Sequence, residues 1–341
     1  MITISLCMIV KNEEKILARC LDCVKDLVDE IIIVDTGSTD RTKEIAGAYT
    51  EKLYDFRWVD DFSAARNFAF SKATMEYIYT ADADEVISPE NRERFQVLKE
   101  NLLPEIELVQ MKYGNQLQHG TVYNFDEEYR PKLFKRLRPF VWEDPIHEMV
   151  RLTPVIFDSD VVITHLPQSN HAGRDLENFR KQIGKGAYLS KRLHNMYARE
   201  LFLAGSDEDF CLAADFFKAS AADADRGPDE VTESCLVAAR ACRITGDTVG
   251  FFKYASKVIA GEGCSEICCE LGSFYEAAGD YEEAAIWYYN AVYETIPVLK
   301  KAAGDKEGLK GLIRCYENLG IADMVQVYRE ELEGKEREEK L

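Results

Sequence analysis

Three carboxylates crowd the stretch "YIYTADADEVISPE", residues 77–90: Asp82, Asp84 and Glu85, with only Ala83 among them. They follow an apolar run, where carboxylates repel one another and resist desolvation. A compensating cation is required, from an arginine, a lysine or a metal ion. Two more polar clusters follow apolar runs upstream. Lys11, Asn12 and Glu13 come after "ITISLCMIV", and Asp35 to Asp40 ("DTGSTD") close "EIIIVD". A fourth cluster, "VWEDPIHEMV" at residues 141–150, holds Glu143, Asp144, His147 and Glu148. Carboxylates and imidazoles of this kind can move protons or hold a hard cation. Taken singly, each cluster reads as a solvated strand end or helix cap, and Asp40 is expected to be a cap beside Ser38 and Thr39.

The elements that carry these residues decide whether they meet. "ITISLCMIV", "EIIIVD", "EKLYDF" and "MEYIYTAD" are short apolar runs, hence strands. Between them "NEEKILARCLDCVKDL", "STDRTKEIAGAY" and "FSAARNFAFSKAT" have helical spacing, with Asn12 as N-cap of the first and Ser38 or Thr39 capping the second. That rhythm predicts βαβ units: an α/β Rossmann-like, mainly parallel mixed sheet with helices on both faces. In such a sheet ligands bind outside the carboxyl ends of the strands, so the first three clusters should share one edge. Residues 91–165 read as strand-rich, with "EIELVQMKYG" and "TVYNF" as a hairpin and "RPKLFKR" and "VVITH" as further strands.

From Arg174 onward the pattern is all-α. Glu270 to Pro297 carries Leu271, Gly272, Tyr275, Gly279, Tyr281, Ala284, Tyr288 and Ala291. It resembles a tetratricopeptide repeat, in which small residues let two antiparallel helices approach. "VTESCLVAARACRITGDTVGFFKYASKVIA" and "KEGLKGLIRCYENLGIADMVQVYREEL" read as weaker copies on either side. An unrelated helical bundle is the alternative.

The chain has 341 residues, 46% of them hydrophobic, and a formal net charge of −19. Length and core content fit two domains. The charge disfavours nucleic acid and anionic lipid as partners. Ten cysteines sit mainly in helical patterns. They read as free thiols of a reducing cytosol, and Cys20 and Cys23 as small buried hydrophobes rather than a metal or redox pair. No signal peptide is visible and no run reaches the ~18 apolar residues of a membrane span. A cytoplasmic protein without stable membrane insertion is expected.

"LCMIVKNEE", "IIIVDTGSTDRT", "DDFSAARNFAFSKAT" and "TADADE" resemble, in order and spacing, the family 2 glycosyltransferases of GT-A fold. With the helical repeats, the chain is most similar to the bacterial subgroup that includes peptide S-glycosyltransferases. The resemblance covers roughly residues 3–165 and implies roles by position. Asp35 would contact the uracil of a nucleotide-sugar donor. Lys11, Asn12 and Glu13 would hold the nucleoside, with Arg66 and Asn67 near the base and diphosphate. Asp82, Ala83 and Asp84 form the D-x-D; Asp84 would bind Mg²⁺ or Mn²⁺, and Asp82 the ribose or the same metal. His165 and His147 are further candidate metal ligands. The resemblance also implies a catalytic base in the 143–148 loop, Glu148 first and Asp144 second, with Glu143 a third candidate.

Three segments are expected: a transferase domain at 1–170, a helical linker closing the active site at 171–205, and repeats at 206–335 that recruit a peptide, protein or glycan acceptor or make a homodimer. Arg174, Arg180 and Lys181 would close over the diphosphate or decorate a solvated helix face. Trp58, Phe62, Tyr113, Tyr123 and Trp142 offer a sugar platform or core packing. Two competing functions differ in class. One is a non-catalytic repeat adaptor with a degenerate nucleotide-binding domain. The other is a sugar-nucleotide pyrophosphorylase, which would need a glycine-rich basic loop where this chain has the acidic "VKNEEK".

Overall fold

A computed structural model of the chain describes residues 1–114, 128–138, 140–150, 154–166 and 172–338. Contacts divide it into two units, Met1–His171 and Ala172–Leu341. In the first, β1 (Ile4–Val10), α1 (Leu17–Val24), β2 (Glu30–Asp35), α2 (Thr42–Gly47), β3 (Leu53–Asp55), α3 (Phe62–Phe70) and β4 (Tyr77–Thr80) alternate as expected. They are followed by β5 (Glu85–Val86), α4 (Pro89–Asn101), β6 (Leu108–Gly114), β7 (Glu128–Lys135), β8 (Trp142–Glu143), β9 (Met149–Val150) and β10 (Ile156–His165).

One eight-stranded sheet runs β3-β2-β1-β4-β7-β6-β10-β5, and β8 and β9 form a separate ribbon. β1 to β4 are parallel, β7 is antiparallel to both its neighbours, and β10 runs parallel to β6. β1 buries both its faces, as a central parallel strand must. Successive side chains alternate between two cores. Ile4, Leu6 and Met8 pack with Leu17, Leu21 and Phe95, whereas Cys7 packs with Ile32, Val34, Phe134 and Trp142.

Three local expectations need correction. Asn12 does not cap α1: the helix begins at Leu17, after a turn in which the Glu13 carbonyl accepts from the N–H groups of Ile16 and Leu17. Neither Ser38 nor Thr39 caps α2. The Asp40 carboxylate accepts from the Thr42 backbone instead, so the expected capping role is Asp40's. Residues 89–101 are helical rather than part of a strand-rich region. Ser88 accepts from Asn91 N–H with Pro89 in the first turn, a start signal present in the sequence. The strand expected at 121–125, with Tyr123, lies outside the described residues.

The second unit is helical throughout its described residues: α5 (Ala172–Gly184), α6 (Lys191–Ala204), α7 (Asp207–Ser220), α8 (Pro228–Thr245), α9 (Thr248–Ile259), α10 (Ser265–Ala277), α11 (Tyr281–Tyr289), α12 (Lys306–Leu319) and α13 (Ala322–Glu338). A π-helical turn, Asn290–Glu294, extends α11. The expected pairs are α8/α9, α10/α11 and α12/α13. A further pair, α6/α7, packs through Phe202 on Phe210 and Tyr197 on Phe217. Within the best repeat, Gly272 gives Tyr288 its place: a Cβ there would stand 2.8 Å from the ring, and one at Gly311 of α12 only 2.4 Å. Carboxylates pin the register between alternate helices, with buried Glu233 on His194, buried Glu270 on Arg243 and half-buried Glu276 on Arg314. Among the described residues no helix is long and apolar enough to cross a membrane.

Candidate active site

Parallel pairing sends β1, β2 and β4 out at one edge, with Val10 opposite Asp35 and Cys7 opposite Thr80. β7 enters the sheet at that edge, while β6 and β10 leave there at Gly114 and His165. The acidic clusters therefore meet residues from β6, β7 and β10.

At the β2 end Asp35 is only 1% exposed. Its Oδ1 accepts from the N–H groups of Gly37 and Ser38, both at 2.9 Å, which closes the loop. Gly37 adopts φ +107°, where a side chain would be strained. Asp35 Oδ2 has no hydrogen-bond partner among the described residues. Asn12, at φ 56°, ties the neighbouring loop down: its Oδ1 accepts from Thr39 N–H at 2.8 Å, and its own N–H donates to Ser38 Oγ at 2.9 Å. Glu13 N–H donates to Thr42 Oγ1 at 2.7 Å. Lys11 is exposed beside them.

At the β4 end each acid has a partner. Arg66, on α3, donates through Nη2 to Asp82 at 3.0 Å, through Nη1 to Thr80 at 3.1 Å, and through Nε to Glu148. Its guanidinium lies 5.1 Å from the Trp142 ring centroid. Burial alone would raise the pKa of Asp82. The charge of Arg66, helped by Lys132, holds it well below the carboxylate range instead. Asp84 Oδ2 is 3.1 Å from His165 Nε2. Glu85 is buried with Lys132 of β7, Nζ to Oε1 2.5 Å. Burial pushes its carboxyl pKa up, against the Lys132 charge. The crowded carboxylates are thus compensated by two side-chain cations and an imidazole.

α3 also carries the acidic loop. Phe62 N–H donates to the Pro145 carbonyl at 3.0 Å, and the Asn67 amide exchanges two 2.9 Å bonds with the Trp142 backbone. Asn67 therefore anchors the loop, while Arg66 sets Glu148 across from Asp82. Asp144 and His147 take left-handed backbones, φ 72° and 49°. Such outliers in non-glycine residues cluster at functional sites. Glu143 is exposed, Ala83 buried.

Residues 5–150 match the family model described as Glycosyl transferase family 2. This segment is a family 2 glycosyl transferase domain. A TPR repeat-containing protein of Synechococcus elongatus is 55% identical over 85 residues, 25% of this chain and 21% of that protein. The SPbeta prophage-derived glycosyltransferase SunS of Bacillus subtilis is 44% identical over 93 residues, 26% of this chain and 22% of that protein. The chain thus spans about a fifth of the length of these curated relatives. Among solved structures, glucosyl-3-phosphoglycerate synthase from Mycobacterium tuberculosis aligns with a TM-score of 0.40 at 15% identity, covering 55% of this chain and 81% of that one.

Within the transferase domain, Asp84 and His165 suit a divalent cation: one carboxylate and one imidazole, from neighbouring strands. Among the described residues no three His, Cys, Asp or Glu side chains gather as a complete metal cage. Ions of the Mg²⁺ or Mn²⁺ type take one or two protein ligands and fill the rest from phosphate and water. The donor set therefore fits such an ion.

Several neighbours escaped sequence reasoning. Lys132 and Arg130 stand on β7 with their charges 5.2 Å and 4.0 Å from the Tyr113 ring centroid, and that ring lies 5.4 Å from His165. Their spacing of two along "RPKLFKR" was the available signal, since it puts both on one face of a strand. Tyr113 and Trp142 are buried, as core packing requires, and Trp58 stacks edge-on against Phe62. Cys20 Sγ donates to the Asp82 carbonyl, Cys23 Sγ accepts from Ile87 N–H, and all ten cysteines are free. Arg180 pairs with Asp209 and Lys181 with Glu177, both in the helical unit, while the Arg174 side chain lies outside the described residues.

Proposed function

We propose that this chain is a metal-dependent, inverting glycosyltransferase that moves a sugar from a nucleotide donor, UDP-linked, to a peptide, protein or glycan acceptor. The observation that carries the reading is the pairing of two features on one edge. Asp35 offers a buried open oxygen at the end of β2, and the D-x-D run leaves the end of β4 two strands away, across β1, carrying Asp84 on past β7 and β6 to His165. Adjacent strands lie about 4.8 Å apart, so the ends of β2 and β4 are separated by roughly 10 Å. A nucleoside diphosphate laid along this edge would place its base N–H on Asp35 and its phosphates toward the run from Asp82 to Asp84.

Asp84 and His165 would hold Mg²⁺ or Mn²⁺, which supplies positive charge at the diphosphate when bound. Asn12, Glu13 and Lys11 line the nucleoside end. Glu148 is the proposed base, oriented by Arg66. The acceptor atom attacks the anomeric carbon from the face opposite the diphosphate, and its proton passes to the carboxylate. The bond from that carbon to the diphosphate oxygen breaks, and its electron pair leaves with UDP. The helical repeats offer the extended surface on which an acceptor would be recruited. The SunS likeness supports a transferase of this class.

Calorimetry of UDP, GDP and dTDP, each with Mn²⁺ or with EDTA, tests the donor half. Tight UDP binding that needs Mn²⁺ and is lost in Asp84→Ala is the expected result. A folded wild-type chain that binds no nucleotide with Mn²⁺ present would sink it and leave the repeats as the functional part.

A further inference from the structure

We propose that Lys132 and Glu85 are a positioning couple that presets the metal end of the site, an inference that rests on the donor reading above. The backbone shows why one is needed. After β4 the chain does not turn down into the next helix. It crosses the sheet edge, carrying Ala81 to Asp84 past β7 and β6, and pairs as β5 on the far side of β10. That landing is two residues long: Glu85 opposite His165 and Val86 opposite Thr164. So short a strand contributes little pairing energy, yet it sets the distance between the adjacent Asp84 and His165. One backbone bond helps, Leu166 N–H to the Asp84 carbonyl at 2.8 Å.

Arg66 and Cys20 hold Asp82 and Cys23 holds Ile87, and Lys132 is the anchor at Glu85 itself. It rises from β7 beneath the crossing and meets Glu85 Oε1 at 2.5 Å, with Glu85 2% and Lys132 5% exposed. The other oxygen, Oε2, has no partner among the described residues. A pair this enclosed is a poor device for stability, because desolvation offsets most of its attraction and apolar replacements are often neutral or better. Its position gives it another role. It fixes the residue that is both the chain neighbour of Asp84 and the strand partner of His165. Groups that orient metal ligands commonly change metal affinity about 10- to 100-fold when removed.

The test separates positioning from folding. UDP is titrated by calorimetry with Mn²⁺ and with EDTA on wild type, Lys132→Met, and the apolar double variant Glu85→Leu with Lys132→Met; thermal melts establish which variants are folded. The expected result is Mn²⁺-dependent UDP affinity about 10- to 100-fold weaker in each folded variant, with the weaker affinity in EDTA unchanged. The double variant removes the unpaired buried charge, so it keeps the test open if Lys132→Met does not fold. A folded variant that binds UDP with Mn²⁺ as tightly as wild type overturns the inference while leaving the donor reading intact. Equal losses with Mn²⁺ and with EDTA overturn it too, because they report general damage to the pocket. Wild type that binds no UDP overturns the donor reading first, and this inference with it.

Discussion

Arg66 holds two carboxylates at once, and the site's chemistry turns on it. Without the guanidinium, Asp82 and Glu148 would face each other as like charges beside a buried tryptophan. With it, Glu148 is held in a fixed orientation by the Arg66 Nε–H, as a positioned proton acceptor needs. Glu148→Gln should therefore lower kcat by about 10²- to 10⁴-fold and leave the UDP dissociation constant near wild type, while Asp144→Asn costs less; the reverse order in steady-state kinetics would move the base to Asp144. At the other end, Asp35→Asn keeps an oxygen for Gly37 and Ser38 but puts an amide where Oδ2 stood. A lost hydrogen bond to a charged group is worth about 1.5–3 kcal/mol, so UDP affinity should fall roughly 10- to 100-fold with the melting temperature unchanged. The positions of Asp35, Asp82, Asp84 and His165 were legible because polar residues at strand ends stand out against apolar runs, whereas Arg66, inside α3, and Glu148 were named only through the family resemblance. Lys132 was not legible. A lysine in a strand ordinarily reads as a solvent-facing residue, whereas Lys132 is buried against Glu85, 47 residues away in sequence, and the Tyr113 ring.

Elements were legible where one period ran uninterrupted. The four parallel strands and the helices after residue 174 were clear, since a strand buried on both faces is a continuous apolar run and a repeat helix is marked by small residues. α4 was missed because its core contacts, Phe95 and Leu98, are few among many charges; Ser88 and Pro89 were the better guide. The repeat pairing makes a direct prediction. Gly272→Ala and Gly311→Ala each push a methyl against the Tyr288 ring. Overpacking of this kind costs about 1–3 kcal/mol, against a helix-propensity gain of about 1 kcal/mol for replacing glycine. Both variants should melt below wild type, and a rise in melting temperature would mean that Tyr288 can move. Glu200 of α6 offers a second test. Burial, with the Asp175 charge adding to it, raises its pKa to about 7. A carboxyl raised on folding favours the protonated native state, so stability declines as pH rises from about 4.5, its ordinary value, to about 7. Glu200→Gln should raise the melting temperature at pH 8 and change it little at pH 5; equal shifts at both would show that charge is not the cause.

Over the whole molecule, 61 acidic residues outnumber 42 basic ones, for a formal charge of −19. Some of the excess serves helix starts, as in Asp207, Glu208 and Asp209 on α7 and Asp229 and Glu230 on α8, where carboxylates complement the helix dipole. The transferase edge adds Asp35, Asp82, Asp84, Glu85 and Glu148, against Arg66, Arg130 and Lys132. An anionic nucleotide therefore approaches against the long-range field and is attracted only at contact range. Salt separates these two regimes, since the Debye length shrinks from about 30 Å at 0.01 M to about 8 Å at 0.15 M. Most anion-binding sites lose association rate as salt rises, because they steer their ligand in. Here the repulsion is the part that reaches furthest, so screening removes it first. Stopped-flow association of UDP at fixed Mn²⁺ should accelerate a few-fold between 0.01 M and 0.15 M salt, with dissociation changing less. Slower association over that range would mean that Arg130 and Lys132 project a local positive field strong enough to override the net charge, and that the donor is steered to this edge rather than admitted against the field.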